Sequence, residues 1–320
     1  FLFMRSFISL SLLLFSFIAN AQFVGYALKG QSRFSDWKQD TLFVVKHPEY
    51  PMYDEVVAEF LANEWTFNQV AYLDQKYVAD KEYRKKNKEK IVLDIVALDS
   101  QRIMDSENQR ADSPTEALTS LAIFPLEGLH SIKILYPSTI LYLNPQYAVA
   151  YFSLARKKES RRSKSETEGI FIKDLDSNPI HYQALIALKH LNYLTNITIL
   201  ADDSFVDAKF ILSIIDILNK PRQIGKKTLL VSSVHLDELE EADIEKKYGR
   251  KYEIATPEEI YKLVKAKDKR YCLLTGRIAL MGYAVSVLDL ETSEIKYLDN
   301  DRAFKLEDDH FKNLKKAIYN

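Results

Sequence analysis

The sequence predicts an α/β protein made of two similar modules, each a mixed β-sheet flanked by helices. Three observations support this fold class. Short apolar runs alternate with stretches of helical periodicity, and a hairpin-type pattern lies near the end of the chain. Similar segments also recur in the same order along the chain. The recurring pairs are residues 41–45 with 228–232, 147–154 with 283–290, and 172–176 with 295–299.

The second copy shows its elements clearly. Three short apolar runs are typical of buried strands: residues 228–232, 252–255 and 271–274. Between the last two runs, Thr256 and Glu259 form a capping box with Pro257 at the first helical position, which predicts the start of a helix. A shorter helix is expected around Ile244, between the first two runs. These patterns give the order β-α-β-α-β.

The remainder of the second copy predicts a hairpin and a closing helix. Residues 283–290 and 294–298 alternate around a polar turn, and His310 begins a helical pattern that ends at Ile318. The full order is therefore β-α-β-α-β-β-β-α. This order is similar to that of thioredoxin-like domains. The Cys-x-x-Cys motif of their redox members is absent. The single cysteine, Cys272, lies in an apolar run, so we expect a buried small side chain and no disulfide.

The first copy is longer than the second because of a predicted insertion over residues 100–146. The sequence from Ser113 to Glu116 has the form of a capping box, which predicts a helix that continues to about Ile123. Residues 131–143 then predict one or two strands. Between the copies, the apolar spacing of residues 203–218 predicts a connecting helix, and residues 221–227 are the expected linker.

The beginning of the chain has the pattern of a secretory signal peptide. Met4 and Arg5 precede an apolar run over residues 7–18, and Ala19 and Ala21 provide small residues for cleavage before Gln22. We therefore predict an exported protein, periplasmic or extracellular, with no transmembrane segment after cleavage. The predicted organisation is a signal peptide over residues 4–21, a first module over 22–195, a connecting segment over 196–225 and a second module over 226–320.

The sequence contains no motif that names a reaction. It has no His-Glu-x-x-His pair, no cysteine–histidine cluster with zinc spacing and no nucleophile elbow, so we predict no catalytic residue, metal or cofactor. The formal net charge of −1 and the lack of aromatic residues in the basic run over residues 156–164 argue against nucleic acid. Four residues are candidates for binding: His181 and His310 at equivalent places in the two copies, and Arg161 and Arg162 in the basic run.

Two functional hypotheses follow. The first is an exported, non-enzymatic binding or assembly protein of the cell envelope, whose partner is an envelope protein or a glycan. The second is a hydrolase with carboxylates in a cleft between the modules, a type of site that leaves little trace in a sequence. For His181 and His310 the sequence favours packing or helix capping over ligand binding, because each stands near the start of a helix beside an aromatic residue.

Overall fold

A computed structural model describes residues 40–99, 117–135, 138–143, 150–154, 179–200, 220–236, 239–279, 282–301 and 305–319. The strands in these ranges are β1 (Leu42–Lys46), β2 (Val70–Asp74), β3 (Ile91–Asp99), β4 (Ala117–Pro125), β5 (Leu129–Leu135), β6 (Ser138–Leu143), β7 (Ala150–Ser153), β8 (Thr228–Ser232), β9 (Tyr252–Ala255), β10 (Tyr271–Ala279), β11 (Gly282–Asp289) and β12 (Ile295–Asp301). The helices are α1 (Pro51–Asn63), α2 (Gln75–Ala79), α3 (Lys81–Lys86), α4 (Ile180–Leu200), α5 (Pro221–Ile224), α6 (Glu241–Tyr248), α7 (Pro257–Lys265) and α8 (Asp308–Tyr319).

The strands form two mixed sheets of the same design, which confirms the predicted fold class. Sheet A has the order β2-β1-β3-β4-β7. In addition, β6 pairs with β3, and β5 pairs with β6. Sheet B has the order β9-β8-β10-β11-β12. In each sheet the first strand of the copy, β1 or β8, lies between two parallel neighbours. The sheet then continues on one side with two strands, β4 and β7 or β11 and β12, each of which pairs antiparallel with the strand before it. The second copy has the predicted β-α-β-α-β-β-β-α order throughout.

The pairing register shows how the copies correspond. Leu42, the first residue of β1, and Leu229, the second residue of β8, occupy equivalent positions in their sheets. Each is paired with one residue of the parallel strand on either side. The two sets of paired residues are Leu42, Val70 and Ile91 in sheet A, and Leu229, Tyr252 and Cys272 in sheet B. The predicted match of residues 41–45 with 228–232 is therefore confirmed.

The predicted match of residues 147–154 with 283–290 is wrong. β7 lies at the edge of sheet A and corresponds in position to β12, whereas β11 corresponds to β4. The helix predicted from Ser113 to Ile123 is also wrong where the structure describes it, because residues 117–125 form β4. Residues 120–126 are all buried. A strand that is covered on both faces shows no polar alternation, so its period cannot be read from the sequence.

The insertion in the first copy adds a hairpin to sheet A. After a 3-10 turn over Leu126–Gly128, β5 and β6 pair antiparallel, as expected for residues 131–143. β6 also joins β3 at Ala97 and Leu98, beyond the point where β1 ends. Leu141 and Leu143 of this hairpin pack in the apolar core on the outer face of sheet A. The insertion therefore completes the cover of one face of the first module.

Apolar side chains of each sheet are buried on both faces, so the structure is a stack of layers. In β3, Val92 faces the outer core of sheet A, while Leu93 faces a central core that also contains residues of sheet B. In β10, Leu273 faces that central core, and Cys272 faces the outer core beneath α6 and α8. One apolar core is therefore shared by the two sheets.

Helix α4 lies within this central core and is covered on all sides. Residues 182–191 are buried without exception. A surface helix alternates between apolar and polar faces, so ten consecutive buried positions indicate a helix between two packed layers. α4 contacts α1, β4 and β7 of the first copy and α7 of the second copy. The second sheet therefore does not cover its inner face with its own elements alone, because it uses a helix of the first module.

Polar contacts reinforce the junction of the copies at its centre and at its rim. His190 of α4 contacts Ser286 of β11 through its Nε2 atom at 2.9 Å, and Ser286 in turn contacts Thr275 of β10 at 2.6 Å. At the rim, Lys265 Nζ lies 2.7 Å from Glu59 Oε2. The buried groups are satisfied by one another, which limits the cost of placing them in an apolar core.

The expected linker over residues 221–227 is also part of the folded second module. Residues 221–224 form α5, which packs against α8, and Ile224 is fully buried in the outer core of sheet B. Pro221 stands at the start of this helix, where a missing N–H group costs nothing. Pro221 and Gly225 thus stand at the start and end of a single helical turn. Residues 203–218, the predicted connecting helix, lie outside the described residues.

We expect Leu191→Ala to destabilise both modules together. Leu191 is fully buried on α4, so the truncation should lower the free energy of unfolding by about 2–5 kcal/mol. Urea unfolding followed by Trp fluorescence and by far-ultraviolet circular dichroism should give coincident transitions before and after the change. Leu236→Ala, at an exposed leucine, is the control and should change stability little. Separate transitions for the two probes would contradict a shared core.

Candidate functional site

The candidate site lies at the carboxyl ends of the parallel strands in sheet A. The chain passes from β1 to β2 on one side and then to β3 on the other side, so the strand order reverses between β1 and β3. In open α/β sheets, such a reversal leaves a crevice at the carboxyl ends of the strands, where ligands bind. His47 directly follows β1, and Asp94 lies in β3 beside this position.

His47 is held by carboxylates on both sides of its ring. Its Nε2 atom lies 2.6 Å from Asp94 Oδ1, and its Nδ1 atom lies 3.4 Å from Glu49 Oε1. Its backbone N–H donates to both oxygens of Asp54 in the first turn of α1, at 2.9 and 3.1 Å. The ring of Tyr53 packs edge-on against it, with 5.3 Å between the ring centroids. These residues form the His47 cluster: His47, Glu49, Tyr53, Asp54 and Asp94.

The contacts of the His47 cluster favour the charged imidazolium. A ring with a carboxylate at each nitrogen must donate from both atoms, which only the protonated form can do. Burial by itself lowers the pKa of His47, but Asp94 and, to a lesser extent, Glu49 raise it overall to about 10. Burial also raises the pKa of Asp94, and His47 opposes that change. The pair therefore retains a proton at neutral pH.

The His47–Asp94 pair within the cluster is closed to solvent. The exposed fraction of His47 is 4%, and that of Asp94 is zero. Their contacts are made to each other and to the chain that follows β1, where Tyr50 N–H donates to the His47 carbonyl oxygen at 2.7 Å. A histidine in this arrangement fixes the turn between β1 and α1. The cluster thus holds the start of α1 in position beside the adjacent cleft.

This cleft is shallow, with a volume of about 350 Å³, and lies between the end of β1, the edge strand β2 and α1. Its polar and aromatic lining comes from Lys46, Asp54, Glu55 and Tyr72, and its floor from Val44, Val57 and Ala58. Tyr72 is 46% exposed, and the ammonium group of Lys46 lies 5.0 Å from the centroid of its ring. Asp54 belongs to both the cleft and the His47 cluster, because it lines the cleft and accepts from the backbone N–H group of His47.

The two histidines predicted from the sequence occupy equivalent helix starts but have different surroundings. His181, on α4, is half-buried, and its ring packs edge-on against Tyr261 of α7, with 4.8 Å between the centroids. His310, on α8, is buried, and its Nδ1 atom accepts from Glu307 N–H at 3.0 Å. Both environments resemble the packing and capping roles that the sequence favoured. Arg161 and Arg162 lie outside the described residues.

The sequence analysis did not select the His47 cluster, although two signals for it are present. Asp94 is a carboxylate in the otherwise apolar run from Ile91 to Leu98, where a charge is costly unless it is paired. His47 directly follows the first strand of the first copy. Each signal is weak alone, because only the pairing of β1 with β3 brings the two residues together.

Other chemistry in the described part of the chain is limited. No three histidine, cysteine, aspartate or glutamate side chains among the described residues are arranged to hold a metal. Cys272 is a buried free thiol, as predicted, and burial raises its pKa to about 12, so it is a poor nucleophile. Across the described helices, none is long and apolar enough to cross a membrane.

Comparisons with protein-family models, with curated proteins and with solved structures give no match to this chain.

We expect the stability of the protein to fall between about pH 6.5 and pH 10. The folded-state pKa of His47 lies above its unfolded value, so the stabilisation is complete below pH 6.5 and is lost as the pH rises through about 10. Urea unfolding at pH 6, 8 and 10 measures this dependence. His47→Gln leaves Asp94 buried without its cation and should cost about 3–5 kcal/mol at pH 6.

The double variant H47Q/D94N is the control for this prediction. It removes both members of the ion pair, so it should regain part of the stability lost in His47→Gln and should lose the His47 contribution to the pH dependence. An unchanged slope of stability against pH in the double variant would show that His47 is not the titrating group.

Proposed function

We propose that the protein is an exported, non-enzymatic binding or assembly component of the cell envelope, and that the cleft beside the His47 cluster is its binding surface. The observation that carries this proposal is that the site consists of a buried ion pair, His47 with Asp94, and an open polar cleft beside it. The titratable pair is buried, and its two members make their short contact with each other. The groups that a partner would meet are those of the cleft: the ring of Tyr72, the ammonium group of Lys46 and the carboxylate of Glu55.

This arrangement favours binding over catalysis at the site. A general acid or base has to come within hydrogen-bond distance of its substrate, usually about 2.6–3.2 Å. His47 makes its short contact with Asp94 inside the protein, at 4% exposure. A rigid ion pair behind a recognition surface instead reduces the entropy that the surface loses on binding.

The junction of the modules also favours binding over the hydrolase hypothesis. That hypothesis requires carboxylates that meet in a cleft between the copies. In the described ranges, the junction is filled by the shared apolar core around α4, and the polar contacts at its centre come from His190, Ser286 and Thr275. The carboxylates of Glu59 and Glu64 stand at its rim, where they pair with lysines.

The chemistry of the cleft fits a polar partner with a flat or extended surface. An exposed tyrosine offers a large ring at a small cost in side-chain entropy, together with a hydroxyl group that can donate or accept a hydrogen bond. Charges of both signs beside it add hydrogen bonds and orientation. An envelope protein or a glycan would meet these requirements. The compartment in this proposal comes from the signal-peptide pattern over residues 4–21, which lie outside the described part of the chain.

A photo-crosslinker placed at Tyr72 should capture the partner in intact host cells. We expect a specific adduct on the exported protein, because the side chain at this position projects into the cleft. Treatment of the adduct with protease or with periodate then identifies a protein or a glycan. The same crosslinker at Tyr319, an exposed tyrosine at the end of α8, is the matched control and should give no such adduct.

Two further results decide this proposal. Lys46→Glu reverses a charge in the cleft at an exposed position, so it should reduce the Tyr72 adduct without loss of folded protein. Equal adducts from the two tyrosine positions, or an adduct that is unaffected by Lys46→Glu, would contradict binding at the cleft. Protein that stays in the cytoplasm with residues 1–21 uncleaved would contradict export.

A further inference from the structure

Sheet B contains the same type of strand reversal as sheet A, and a buried arginine lies near it. The order reverses between β8 and β10, and Ser232 is the last residue of β8. Arg277 lies in β10 beyond the residues that pair with β8, on the carboxyl side of that pairing. Its exposed fraction is only 4%.

Arg277 has no carboxylate partner within the described residues. Its Nη1 atom donates to the carbonyl oxygen of Gly276 at 2.7 Å, and its guanidinium group lies 5.8 Å from the centroid of the Phe152 ring. Its Nε atom is buried and makes no hydrogen bond to any described residue. A buried charge is costly unless a counter-charge and hydrogen bonds compensate for it. The carbonyl oxygen, the ring face and the neighbouring Tyr182 hydroxyl carry no full negative charge, so the described residues give Arg277 no counter-charge.

Among the described residues, the polar side chains beside Arg277 are hydroxyl groups and not acids. The Tyr182 hydroxyl lies near both Arg277 and Ser232: burial raises the pKa of Tyr182, while these two neighbours lower it. The Oγ atom of Ser232 is fully buried and lacks a partner of good hydrogen-bond geometry in the described chain. Guanidinium N–H groups and hydroxyl groups can all donate to one acceptor. The surroundings are thus rich in donors and carry a positive charge.

The corresponding region of sheet A contains its own anion. Thr275 of β10 lies three residues after Cys272, just as Asp94 of β3 lies three residues after Ile91, and these two starting residues are register equivalents. In sheet A, the carboxylate of Asp94 neutralises the cation of His47. In sheet B, the acid is replaced by threonine, and a cation is present two residues further on, at Arg277. The second copy therefore has a buried cation in this region, and no carboxylate of the described residues pairs with it.

We propose that Arg277, with Ser232 and Tyr182, forms a binding site for a small oxyanion group, a carboxylate or a phosphate. With Nη1 bonded to Gly276, the edge of the guanidinium that carries Nε–H and one Nη2–H is directed away from that bond. This edge has the two parallel N–H groups that hold two oxygens of an oxyanion. The anion supplies the counter-charge that the described residues lack, and the hydroxyls of Ser232 and Tyr182 complete its hydrogen bonds.

Titration of the protein with acetate, inorganic phosphate and chloride tests this site at constant ionic strength. We expect acetate or phosphate to raise the melting temperature, and chloride to have no such effect. We also expect the Nε–H nuclear magnetic resonance signal of Arg277 to shift as the oxyanion is added to the wild-type protein. A preference for acetate indicates a carboxylate ligand, and a preference for phosphate indicates a phosphorylated one.

Variants at the arginine provide the control. Arg277→Met removes the charge but keeps the length of the side chain, so it should weaken oxyanion binding by at least about tenfold. Arg270→Met, at an exposed arginine that pairs with Asp268, should leave binding unchanged. If Arg277→Met does not fold, Ser232→Ala and the wild-type Nε–H signal decide the question. No oxyanion-specific effect in the wild type, or an equal effect in Arg277→Met, would overturn the proposal.

Discussion

The fold depends on the burial of helix α4 between the two sheets. Its residues 182–191 are all buried, and they fill a core that neither sheet could complete alone. The inner face of sheet B, with Leu230, Leu273 and Leu288, would otherwise be left partly uncovered. Sheet A faces the same requirement on its outer side, and there the β5–β6 hairpin provides part of the cover. The two copies thus share one design but cover the second face of the sheet in different ways, and only the first copy uses an inserted hairpin for this purpose.

Much of this architecture could be predicted from the sequence, because local patterns are strong in the second copy. The capping box at Thr256 is present with both of its hydrogen bonds, and the antiparallel hairpin and the closing helix lie close to their predicted bounds. The first copy was harder, because β4 is apolar on both faces and follows a sequence that imitates a helix start. The resulting error moved the repeat by one strand and matched an edge strand with an interior one. The packing of α4 between the two sheets could not be predicted either, because the sequence of an apolar helix does not indicate which two surfaces it packs against.

The candidate sites depend on strand pairing across the chain, which explains why linear motifs did not find them. His47 and Asp94 are 47 positions apart, and only the register of β1 with β3 brings them together. In the second copy, the same region contains Thr275 and the buried cation of Arg277. Both copies have the strand reversal, but the residues around it differ: the first copy has a closed ion pair, and the second has an arginine with no carboxylate partner among the described residues.

The most direct test of this account is the behaviour of the second module by itself. A chain of residues 220–320 contains all the strands of sheet B but lacks α4, so the inner face of the sheet would lose much of its cover. We predict that this segment lacks the near-ultraviolet circular dichroism and the dispersed amide resonances of a packed protein, and that it binds hydrophobic dyes. A segment that unfolds cooperatively as a monomer, with a stability similar to that of the full chain, would show that the two modules are independent and would contradict the shared core.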